Sequence, residues 1–153
     1  MKKPIVVPLA IFVCLGFGCL GAMLQAKAFT TWYPLLDKSW TTPSNTALAI
    51  GWGVALLSMG LSFGWSNDRD NDKRTYLALF FAKLLLLFLW TLLFYYFRQP
   101  VAGLVAGLIF IALAAWYVRS VRKISLFAAY SFLPCMAWVA FMWYLAFCIV
   151  VKN

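Results

Sequence analysis

Five apolar stretches separated by short polar breaks make up nearly the whole chain. They run over about 5–25, 46–65, 75–97, 101–118 and 126–151, each near the roughly 20 apolar residues a helix needs to cross a bilayer. Helices are required because hydrocarbon offers no partner for open backbone groups. A barrel strand would instead show about 10 residues of alternating pattern. The pattern predicts an all-α integral membrane protein: one five-transmembrane-helix bundle over 1–153, with no room for a second domain. Lys2 and Lys3 before the first stretch look like the start of a signal peptide. That stretch is long enough to span, and it reads as a retained helix.

The breaks differ in character. A first loop over 26–45 is long, aromatic and proline-bearing, and it holds Trp32 and Trp40, two of the eight tryptophans. Such a loop reads either as functional or as an interfacial aromatic belt. The run SNDRDNDKR follows the second stretch, a tight turn at Arg98-Gln99-Pro100 follows the third, and RSVRK follows the fourth. Basic residues favour one side: Lys2, Lys3, Arg69, Lys73, Arg74, Arg119, Arg122 and Lys123, against Lys27, Lys38, Arg98 and Lys152. In a bacterial cell membrane this predicts a cytoplasmic N-terminus and an external first loop.

Composition sharpens the reading by exclusion. Of 153 residues, 65% are hydrophobic and 11% charged, against about 25% charged in soluble domains. The formal charge of +9 would suggest nucleic acid in a soluble protein. Here the basic residues flank apolar segments and anchor helices, so no nucleic-acid partner is expected. Histidine and glutamate are absent, and Asp37, Asp68, Asp70 and Asp72 all fall in loops. That excludes His-ligated haem, His-based acid–base catalysis and an intramembrane carboxylate relay. Cys14, Cys19, Cys135 and Cys148 lie in apolar segments without metal-like spacing, so neither a metal nor a cofactor is expected.

Lys83 is the only charge inside a span. It lies about eight residues into its helix, roughly 12 Å from the end, where an isolated lysine costs about 3 kcal/mol. It either faces a cavity and binds an anionic ligand, or snorkels to the nearer interface. Lys83, Leu87, Trp90 and Phe94 share one helical face, as do Trp52, Leu56, Met59 and Phe63, and Pro134, Trp138, Phe141 and Leu145. Such stripes serve bundle packing or line an aromatic pocket, where indole faces suit a planar ligand. Gly60/Gly64 and Gly103/Gly107 form GxxxG pairs, which serve packing within the bundle or a homodimer.

Four segments in order resemble one family. WYPLLDKSWTTP followed by GWGVALLSMG is similar to W-(Y/F)-x-x-L-x-K-P-x-W-x-P-P…W-x-x-L-Y-x-x-M-G of the TspO/translocator-protein family, the tryptophan-rich sensory proteins once called peripheral benzodiazepine receptors. LWTLLFYYFRQP resembles its third-helix W-S-x-x-F-F…P, and FLPCMAWVAF its fifth-helix P-Y-x-x-W-x-x-F. The resemblance covers almost the whole chain.

It implies a five-helix bundle, often dimeric, with a ligand pocket roofed by the first loop. Family ligands include porphyrins, and for some members cholesterol or benzodiazepine-type drugs. Matched to this chain, the pocket positions are Trp32, Tyr33, Trp40, Trp52, Trp90, Phe94, Ala137, Trp138 and Phe141, with Lys83 and Leu87 on third-helix positions where many members carry Gln and Asn. In porphyrin-degrading members the second- and fifth-helix tryptophans matter most, and these match Trp52 and Trp138. The chain also departs from the pattern: Ser39 and Thr42 replace loop prolines, Leu56 and Cys135 replace tyrosines, and Ala146 replaces an asparagine. The sterol pattern near the end is broken, since Tyr144 is far from Lys152.

Three functions follow as expectations. The first is binding of a porphyrin or other flat hydrophobic ligand (a sterol or drug-like molecule among them), for sensing or transport, with Lys83 pairing a ligand carboxylate. The second is light-dependent, photo-oxidative porphyrin degradation by Trp52 and Trp138, for which the chain offers no conventional acid, base or metal. The third is a transporter or structural membrane partner without small-molecule chemistry. Membrane lipid is a partner in every case.

Overall fold

The computed structural model describes residues 3–66 and 73–153. Lys2, Asp68, Arg69, Asp70 and Asp72 lie outside the described residues. Among the described residues there are five helices long and apolar enough to span a bilayer: α1 Lys3–Thr31, α2 Asn45–Ser66, α3 Lys73–Thr91, α4 Pro100–Val121 and α5 Leu126–Lys152. Among the described residues there is no strand. The chain is a multi-pass integral membrane protein.

Helix α1 continues to Thr31, so six residues expected in the first loop are helical. Ala26, Lys27 and Ala28 are good helix formers. The Thr30 and Thr31 hydroxyls donate back to the Lys27 carbonyl at 3.0 and 2.7 Å, and the Trp32 N–H closes the last turn on the Ala28 carbonyl at 3.0 Å. A 3₁₀ turn, Tyr33–Leu35, then begins the remaining loop. Helix α3 ends in a π-helical turn, Leu92–Tyr96, closed by the Phe97 N–H on the Leu92 carbonyl at 2.8 Å. Arg98 takes a left-handed conformation with φ 55° and reverses the chain. Pro100 then opens α4 at a position where its missing N–H costs nothing. The Ser125 hydroxyl caps α5 by accepting from the Ala128 N–H at 3.3 Å.

In projection the helices follow one another round the bundle as α1, α2, α5, α4, α3. The α2 and α3 backbones approach closely at few points and are bridged by side chains, with Phe63 stacked on Phe80 at 4.2 Å. The GxxxG of α2 packs inside the bundle: a Cβ on Gly60 would lie 2.7 Å from the Ile11 Cα, and one on Gly64 2.6 Å from the Val7 Cα. The glycines let the α1 and α2 backbones meet. The α4 pair faces Phe94 and Trp143, again within the bundle. Large apolar side chains such as Phe12, Met23, Leu108 and Tyr130 point outward, where lipid solvates them.

Candidate functional site

Small residues on α1 open a space between the helices. Gly18, Gly21, Ala22 and Ala26 face Ala49 and Gly53 of α2, and with α3 they bound a cavity of about 420 Å³. This lies within the usual range for small-molecule sites, about 300–1,000 Å³. Its inner part is apolar, walled by Leu15, Phe17, Leu56, Leu84, Leu87 and Phe88. Towards the first loop it meets Gln25, Phe29, Asn45, Thr91 and Tyr95. Among the described residues no charged side chain lines it.

The residues expected to form one pocket are divided by the structure. Trp52 and Leu87 line the cavity. Trp90 and Phe94 do not; they stack on each other with ring centres 5.6 Å apart, and Trp90 meets Trp52 at 5.8 Å. Behind Trp52 this cluster encloses only a void of about 10 Å³, bounded also by Phe110 and Trp143. Its tryptophans therefore fill space rather than line it. Trp32 packs edge-on against Phe94 at 6.0 Å. Trp138 meets Phe141 at 5.6 Å, and a Cβ at Gly51 would overlap its indole. The Trp138 Nε1 is buried without a partner among the described residues. Ala137 faces outward, and Trp40 is 94% exposed.

Lys83 takes neither of the two orientations expected of it. It is 0% exposed, so it does not snorkel, and it does not line the cavity. Its Nζ lies 3.1 Å from the centre of the Tyr117 ring and 4.2 Å from that of Phe132. It has no hydrogen-bond partner among the described residues. Serines of α2 fix the Tyr117 ring: the Tyr117 hydroxyl lies 3.0 Å from Ser62 Oγ, which itself donates to the Ala128 carbonyl at 2.6 Å.

The first loop is tied down at two places. Tyr33 is buried against Phe29 at 4.7 Å and Tyr95 at 5.7 Å, both of which line the cavity. Burial pushes the Tyr33 phenol above its ordinary range. Lys38 crosses the turn, donating to the Tyr33 carbonyl at 2.9 Å. Midway along the loop, the Asn153 side-chain amide pairs with the backbone of a single residue. Its Oδ1 accepts from the Asp37 N–H and its Nδ2 donates to the Asp37 carbonyl, both at 3.1 Å. Lys152 adds a bond to the Lys38 carbonyl at 3.2 Å.

A family model described as the TspO/MBR family matches residues 10–151. The chain is 33% identical over 149 residues to the "Tryptophan-rich protein TspO" of Archaeoglobus fulgidus, covering 94% of each chain. It is 26% identical over 158 residues to a protein of the same description from Chlorobaculum tepidum, covering 99% of this chain and 98% of that one. The chain belongs to the TspO/MBR family.

Within this TspO/MBR bundle the departures from the pattern have visible partners. Leu56 lies on the cavity wall, where it leaves an apolar surface in place of a phenol. Cys135 is fully buried, close to Lys83 and Cys14 in the core shared by all five helices. Ala146 is buried in the second aromatic cluster, near Trp90 and Tyr33. The sequence reading missed Gln25, Asn45 and Tyr95. The signal for the first existed: Gly18, Ala22, Gln25 and Phe29 recur at helical spacing on one face of α1, which sets the amide in line with two small residues.

Proposed function

We propose that this TspO/MBR protein binds a flat hydrophobic ligand, a porphyrin or related tetrapyrrole, in the cavity between α1, α2 and α3, for sensing or transport. The observation that carries the reading is the cavity itself. It is large enough for a drug-sized molecule, apolar within, and flanked by the rings of Trp52, Phe88, Phe29 and Tyr95. Aromatic faces offer a planar ligand stacking worth about 0.5–1.5 kcal/mol per ring beyond area burial.

Titration of detergent-purified protein with protoporphyrin, followed by tryptophan fluorescence, tests it. The expected result is saturable quenching. Ligand should also slow alkylation of Cys19, which lines the cavity, and leave the rate at Cys148 unchanged. Absence of saturable quenching at micromolar ligand sinks the porphyrin reading.

A further inference from the structure

The cavity has two chemically distinct ends. Its inner end carries only apolar side chains, whereas the end nearest the first loop holds Tyr95 with the amides of Gln25 and Asn45. Tyr95 is 2% exposed, and its ring is held by Phe29 at 5.1 Å and Phe94 at 4.8 Å. Its hydroxyl makes no hydrogen bond among the described residues, nor do the two side-chain amides. Thr91 is different, because its hydroxyl already donates to the Leu87 carbonyl at 3.1 Å. Buried polar groups are normally paired, so the open hydroxyl of buried Tyr95 is a donor and acceptor for whatever fills the cavity. Half-buried Gln25 and exposed Asn45 stand beside it on the wall with free amides.

The charges lie elsewhere. Lys83 faces the Tyr117 and Phe132 rings. Near the loop, Lys38 is held by the Tyr33 and Pro34 carbonyls, and Lys152 by the Lys38 carbonyl and the Asp37 carboxylate. Lys27 points outward and does not line the cavity. Arg98, three residues beyond Tyr95, is exposed and does not line the cavity either. A ligand carboxylate beside Tyr95 would therefore meet no cation on the wall among the described residues, and its burial costs far more than that of a neutral carbonyl or hydroxyl.

We propose that the cavity selects an uncharged amphiphile. Its carbonyl or hydroxyl end is hydrogen-bonded by Tyr95, Gln25 and Asn45, and its apolar body extends along α1 towards the middle of the membrane. This rests on the binding role proposed above and narrows it: among tetrapyrroles, esterified or otherwise neutral forms are favoured over free acids.

The test compares protoporphyrin with its dimethyl ester on the wild type, Tyr95→Phe, Gln25→Leu and Gly53→Leu. Phenylalanine keeps the Tyr95 ring contacts, so that variant retains its packing. The ester should bind at least about tenfold more tightly than the free acid. Tyr95→Phe and Gln25→Leu should each weaken the ester by about 3- to 10-fold, the worth of one hydrogen bond. Gly53→Leu, which fills the cavity, should abolish saturable binding of both. Equal or tighter binding of the free acid, or ester affinity unchanged in both polar variants, overturns the inference while binding in the cavity stands. Failure of both ligands to saturate the wild type removes the binding role itself, and the inference with it.

Discussion

The amino nitrogen of Lys83 lies 3.1 Å from the centre of the Tyr117 ring and not on the cavity wall, although the next residue, Leu84, is. An intramembrane lysine ordinarily invites a ligand-binding reading. Here two aromatic faces take the place of a ligand or of water, and such contacts are worth about 2 kcal/mol when desolvated. They offset only part of the insertion cost. Lys83→Met should therefore raise stability by about 1–3 kcal/mol and leave ligand affinity unchanged. Thermal unfolding in detergent and the porphyrin titration read the two effects. Loss of binding in this variant would place the lysine on the ligand.

Tyr117→Leu should do the opposite, lowering stability by about 3 kcal/mol or more through the lost ring volume. It also leaves Ser62 without its hydroxyl partner. In a double-mutant cycle with Lys83→Met, a coupling of about 0.5–2 kcal/mol is expected. Strict additivity would show that the ring and the amine do not interact.

Gly60 and Gly64 set how closely α1 approaches α2. Gly60→Val should cost about 1–3 kcal/mol, because its Cβ would meet the Ile11 backbone, 2.7 Å away, and a backbone does not swing aside as a flexible side chain does. Gly53→Ala is the control, since a Cβ there meets nothing within 4 Å. Unfolding midpoints measured on the two variants should separate clearly, with the alanine variant close to wild type.

The Asn153–Asp37 pairing predicts a role for α5 in holding the first loop. Asn153→Ala removes both bonds to the loop backbone, and limited proteolysis should cut within residues 36–44 several-fold faster. Lys152→Ala should have a smaller effect, because its ion pair with Asp37 is long at 3.9 Å and exposed. Equal cleavage rates in wild type and Asn153→Ala would mean that the Asn153 bonds do not hold the loop.

The bundle was legible in the sequence because lipid leaves the backbone little choice. Long apolar runs had to be helices, and proline and polar runs marked their ends. The extra turns of α1 were not, since Ala26 to Thr31 has the polarity of a loop and the propensity of a helix. The GxxxG pairs were visible, but only the backbone contacts with Ile11 and Val7 showed which helix the α2 pair receives. The candidate site was harder to read. Helical spacing puts Lys83, Leu87, Trp90 and Phe94 on one face, yet that face is wide. Leu87 reaches the cavity, while Trp90 and Phe94 fill the space beside it. The cavity itself is made by what α1 lacks, side-chain volume at Gly18, Gly21, Ala22 and Ala26, and absent volume leaves a fainter mark than a stripe of tryptophans.

A ligand held in the space between α1, α2 and α3 should be excluded by Gly53→Leu. The added side chain enters open space on the cavity wall and meets no protein atom at its Cβ, so the fold should survive with an unchanged unfolding midpoint. Saturable porphyrin quenching, present in the wild type, should disappear in this folded variant. Quenching with unchanged affinity in folded Gly53→Leu would contradict it and place the ligand elsewhere in the protein.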